Sequence, residues 1–152
     1  MSRKNRVSKT TQSARREEAL LRLPMPRPEV DELVLMYRAA LEAVKRGYTD
    51  APLTRRLYTA VLLTRFLTDS GHGLLDLCAL KDAYKQLTTI YEHGDETGVW
   101  DYPPETIALL TQVLNEHDRQ LRETPLHFLL QASDRLDKII ERSYSREISF
   151  SN

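Results

Sequence analysis

Five apolar stripes, each at helical spacing and each closed off by proline or glycine, most constrain what this chain can fold into. The first is Val30, Leu33, Val34, Tyr37, Leu41 and Val44, between Pro28 and Gly47. Steps of three and four place such residues on one helix face. Glu29, Asp31 and Glu32 fill the first turn and Lys45 and Arg46 the last, the order of charges that a helix dipole favours. Gly47 marks the stop. The second stripe, Leu53, Leu57, Ala60, Val61 and Leu67, is widened by Leu62, Leu63 and Phe66. It predicts the most buried helix, with Thr49 or Asp50 as cap and Pro52 in the first turn. A third helix is expected from about Leu74 to Glu92 on Leu77, Leu80, Tyr84, Leu87 and Tyr91, ended by Gly94. A fourth starts at Pro103 or Pro104 and carries Ile107, Leu110, Leu114, His117 and Leu121. The fifth, capped by Thr124 and opened by Pro125, carries Leu126, Leu129, Leu136 and Ile140.

No segment alternates as a strand would. Only 5 Gly and 7 Pro occur in 152 residues, too few turn-formers for a sandwich or barrel. Amphipathic helices with short links must bury their stripes against one another. The expected fold is all-α, a four- or five-helix antiparallel bundle with a disordered basic N-terminal arm. Residues 1–27 read as that arm and its proline-rich linker (LPMPRPE), 28–144 as the bundle, and 145–152 as a flexible tail. Within the arm, residues 1–13 are polar and patternless, while ARREEALLRL is compatible with a short helix over 14–23.

The zero net charge conceals an asymmetry. Residues 1–28 hold eight Lys/Arg and two acids, a net of +6, leaving 14 basic and 20 acidic residues, a net of −6, for the remainder. Arg3, Lys4, Arg6, Lys9, Arg15 and Arg16 fall in the first sixteen residues without one acid. Such an arm suits an anionic partner, and six flexible cations would bind phosphates without reading sequence. It equally fits a solubilising fringe, or a segment lying on its own acidic body. The start lacks the apolar core of a secretory signal, and no run of 18 apolar residues exists to span a membrane.

Catalytic motifs are absent. There is no phosphate-binding GxxxxGK[ST], no GxGxxG, no GxSxG and no HExxH. The segment NEHDRQL looks the most reactive, but Glu116, His117 and Asp118 are helix neighbours and point about 100° apart. His117 lies on the apolar stripe and reads as a hydrogen-bonded interior histidine; Asp118 and Arg122 are spaced to pair. The single cysteine, Cys78 in LLDLCAL, reads as a small core residue, forbids an internal disulfide and fits a reducing, cytoplasmic compartment. No cofactor or metal is implied. Trp100 and Tyr102 in TGVWDYPP read either as packing over a bundle end or as anchors for a protein partner. The pair of helices around SGHG offers no basic recognition surface, because the second opens LLDLCALKD.

Three stretches together, YRAALEAVKRG at 37–47, TGVWDY at 97–102 and LNEHDRQL at 114–121, resemble a group of small helical beta-proteobacterial proteins labelled "Fis family transcriptional regulator". The similarity covers about residues 30–140 and leaves the arm outside. It implies a bacterial cytoplasmic helical protein and brings no catalytic residues. True Fis proteins resemble one another through a C-terminal helix-turn-helix, whereas TPLHFLLQASDRLDKIIERSY has neither the turn glycine nor a basic recognition helix. The reading that follows is a non-enzymatic regulatory or accessory protein associated with nucleic acid through its arm. The alternative is a protein-interaction adaptor or self-associating bundle that uses Trp100, Tyr102 and exposed apolar residues of a long helix.

Overall fold

The computed structural model describes the backbone of residues 3–150 and the side chains of residues 9–146. It contains α1 (Arg3–Leu21), α2 (Arg27–Lys45), α3 (Ala51–Leu67), a π-helical turn (Thr68–His72), α4 (Leu77–Thr97), α5 (Pro104–Glu123) and α6 (Leu126–Phe150). No strand forms among the described residues, and the one β-type contact is an isolated bridge between Pro24 and Pro125.

Helix ends follow from local chemistry. Pro28 sits in the first turn of α2 beside Glu29, and Gly47 takes φ +86° after the last turn. There the Tyr48 amide donates to the Ala43 carbonyl (2.9 Å) and the Gly47 amide to Val44 (3.0 Å), the paired bonds of a Schellman stop. Of the two caps open to α3, Asp50 is the one used: its carboxylate accepts from the Leu53 amide at 2.8 Å. α3 lies at the centre, touching α2, α4, α5 and α6.

Two apolar clusters result. One joins α2, α3, α4 and α5 around Leu57, Leu87 and Leu110, all fully buried. The other joins Val30, Phe66, Leu67 and Leu121 to Leu129, Ala132 and Leu136 of α6. Beyond Leu136, the described residues of α6 are all exposed.

Several features differ from the sequence reading. Residues 3–13 are helical, so α1 adds a sixth helix where an unstructured arm was expected. The stretch carries no apolar stripe that would mark it as a helix in sequence. The same holds at the other end: α6 runs through the expected flexible tail to Phe150, and residues 151 and 152 lie outside the described residues. Gly94 does not end the third predicted helix. α4 continues to Thr97 and stops at Gly98, which takes φ +73°. Cys78 is exposed rather than buried. Leu74 and Leu75 belong to the preceding turn, and Asp76 caps α4 through the Cys78 amide at 3.0 Å. The buried face of α4 runs through Leu80, Ala83, Leu87 and Ile90, and Cys78 lies off it, as do Leu77 and Tyr84.

Candidate functional site

The most reactive-looking segment of the chain is taken up by the fold. α5 presents Glu116, His117, Asp118, Arg119, Gln120 and Arg122 in different directions, and four elements use them. The buried Glu116 carboxylate accepts from the Leu74 and Leu75 amides at 2.8 and 2.6 Å and from Arg119 Nε at 2.5 Å. Arg119 Nη2 donates to the His72 carbonyl at 2.9 Å. Gln120 Nε2 reaches the Thr64 carbonyl, Thr68 Oγ1 and the His72 carbonyl at 3.2–3.3 Å. Together they clasp the turn 68–75 onto α5. Asp118 pairs with Arg122 as the spacing predicts (2.6 Å) and also with Arg38 of α2 (3.2 Å). Arg122 continues to Asp31 at 2.8 Å. The clasp role of Glu116 has no local signal in sequence, because its amide partners lie 41 and 42 residues away.

His117 is 2% exposed and lies edge-on to Tyr37, with ring centroids 5.3 Å apart. Burial pushes its pKa down to about 4, against a smaller opposing effect of the Asp118 charge and of Gln120 one turn along. The ring is therefore neutral near pH 7. The expected hydrogen bond is not closed: Gln120 is near enough to act on the ring, but no contact of full hydrogen-bond geometry reaches either ring nitrogen or Gln120 Oε1.

Trp100 and Tyr102 are half-buried and tied to the bundle. Trp100 lies flush on Gly94, where a Cβ would come within 2.3 Å of the indole, and meets Tyr91 edge-on at 5.5 Å. This close approach, rather than helix termination, is what the absent side chain at Gly94 serves. Tyr102 Oη donates to Thr54 Oγ1 at 2.7 Å, and burial raises the phenol pKa above its ordinary value. Both aromatics thus staple the α4–α5 connection across α3 and α4.

The basic segment behaves differently. Lys9, Arg15 and Arg16 are exposed on α1, as are its other described side chains up to Leu20. Arg3, Lys4 and Arg6 lie in the first turn and a half of the same helix, and their side chains fall outside the described residues. Among the described residues, a short patch moors α1 at its C-terminal end. The Leu126 amide donates to the Leu23 carbonyl (2.8 Å), and His127 Nδ1 lies 2.9 Å from the Leu21 carbonyl. The first turn of α1 contains no acid.

A second exposed surface lies on α6, where Ile139, Ile140 and Tyr144 face solvent beyond the bundle. Next to it a groove is lined by Tyr58, Tyr91, Leu136 and Ile140. Among the described residues, no three His, Cys, Asp or Glu side chains come together as a metal site would require. No helix among them is long and apolar enough to cross a membrane. Comparison with protein-family models, with curated proteins and with solved structures finds no match to this chain.

Proposed function

We propose that the protein is a non-enzymatic accessory or regulatory protein of bacterial cytoplasm that associates with nucleic acid through α1. One observation carries this reading: the first sixteen residues hold six cations and no acid, with Arg3, Lys4 and Arg6 opening α1 and Lys9, Arg15 and Arg16 following along it, and the described side chains of α1 are solvent-exposed from Lys9 to Leu20. Cations at a helix N-terminus oppose the helix dipole. The free α1 therefore carries an electrostatic penalty that a polyanion would remove, since phosphates favour both the cations and the exposed amides there. Contacts of this kind go to the backbone and position a protein without reading bases. The groups that look most like chemistry, Glu116 to Arg122, already have structural tasks, which favours a role without catalysis.

The test is fluorescence anisotropy with a labelled random DNA duplex and with single-stranded RNA. It compares the full chain with a variant in which Arg3, Lys4, Arg6, Lys9, Arg15 and Arg16 are all changed to Gln. Glutamine keeps helix propensity, so the variant removes charge alone. Binding by the natural chain that the variant loses supports the proposal. Equal binding by both, or none by either at low salt, contradicts it.

The exposed Ile139, Ile140 and Tyr144 favour a second reading, a protein-interaction adaptor or self-associating bundle. That role is better placed on α6 than on Trp100 and Tyr102, whose rings are engaged within the bundle. Sedimentation of the natural chain against Ile140→Ser separates the two readings: self-association weakened by the substitution supports the adaptor.

A further inference from the structure

The second apolar cluster is not filled. A cavity of about 300 Å³ lies between α2, α3, α5 and α6, with Met25 of the linker at one side. Its wall is apolar: Leu33, Leu63, Leu67, Leu121, Leu129 and Leu136 supply most of it, and no charged side chain lines it. One buried polar group faces it without a protein partner, the imidazole of His117. The cavity reaches the surface beside Leu130 and Ser133, both exposed.

Each feature narrows what could occupy such a space. Cavities of roughly 150 Å³ with apolar walls hold benzene, so this one has room for about two rings. The lack of a charged wall residue disfavours ions, whose desolvation would go uncompensated. A neutral imidazole offers one donor and one acceptor, and a hydroxyl can use either. Leaving that imidazole unpaired costs free energy that a hydroxyl would recover. The other polar wall groups are Tyr37, Thr59 and Ser133; Thr59 Oγ1 already donates to the Arg55 carbonyl at 3.1 Å, and Ser133 lies at the exposed mouth.

We propose that this cavity is a binding site for a neutral, largely apolar molecule of one or two rings bearing a single hydroxyl, held by a hydrogen bond to His117. The site is independent of α1 and of the nucleic-acid reading.

Isothermal titration of the full chain with 2-naphthol, and with naphthalene as the hydroxyl-free control, tests it. The account expects saturable one-site binding of 2-naphthol, accompanied by movement of the His117 ring-nitrogen resonances. Changing His117 to Phe keeps an aromatic ring at the site while removing the hydrogen bond. It should weaken 2-naphthol roughly five- to tenfold and leave naphthalene unchanged. Ser133→Trp, an exposed position at the cavity mouth, should block both molecules without touching the core. Absence of saturable binding overturns the proposal. So does equal affinity for the two molecules, or binding that survives Ser133→Trp unchanged.

Discussion

The α2–α5 bundle and the two outer helices differ in where their stability comes from. In the bundle, every helix buries a stripe, Gly47, Asp50, Asp76 and Gly98 close ends of α2, α3 and α4, and the turn after α3 is clasped from α5. α1 buries none of its described side chains, and α6 buries only Leu129, Ala132 and Leu136 over its first three turns. Packing of an amphipathic face is what stabilises most protein helices. The outer segments are thus left with their surfaces free, one basic and one apolar. In this molecule the parts that hold the fold and the parts open to partners are separate.

That separation can be broken first at the core. Leu87→Ala, at a fully buried position, should cost about 2–5 kcal/mol, read from denaturant midpoints. Ile140→Ala on exposed α6 should stay within about 0.5 kcal/mol. Similar losses at both sites would show that α6 is integral to the core.

Acid should expose the one weak point of the interior. His117 has a pKa of about 4 in the folded chain, below the roughly 6.5 of an unfolded histidine. Between those values the unfolded chain binds more protons. The stability owed to the neutral ring is complete above about pH 6.5, declines as pH falls toward 4 and is then flat. The loss amounts to roughly 3 kcal/mol. His117→Phe should remove that part of the pH dependence, which is measured as the difference in unfolding free energy between pH 7 and pH 4.

Smaller effects sharpen the picture. Glu116→Ala leaves the Leu74 and Leu75 amides without their acceptor and should cost about 1.5–3 kcal/mol in chemical denaturation. Gly94→Ala sets helix propensity, which favours Ala by about 1 kcal/mol, against a clash with the indole of Trp100. Overpacking costs about 1–3 kcal/mol, so a net loss near 1 kcal/mol and a shifted Trp100 emission are expected. A stabilised Gly94→Ala would show that the indole does not rest there.

The five stripes were legible because burial imposes a period on sequence, and all five became helices, although Leu77 and Tyr84 of the third stripe and Ile140 of the fifth are exposed and α6 runs on to Phe150. Asp50, Gly47 and the Asp118–Arg122 pair were legible for the same reason, since their partners are local. What escaped was either nonperiodic or distant. α1 has no stripe to read. Gly94 serves a close approach to Trp100, six residues on and around a turn, which resembles a helix stop in sequence. The clasp by Glu116, Arg119 and Gln120 depends on contacts more than forty residues apart. His117 was placed inside correctly, but its missing hydrogen bond and the cavity it faces exist only once four helices are assembled.

The central claim, that α1 acts through charge while the bundle merely carries it, is tested most directly by the salt dependence of DNA binding. The natural chain should give a linear plot of log K against log salt concentration with a slope of roughly −5, for about six phosphates neutralised. Each Lys or Arg of α1 changed to Gln should reduce the slope by about one and leave the unfolding midpoint unchanged. A slope near zero, or one unaffected by these substitutions, would contradict the account.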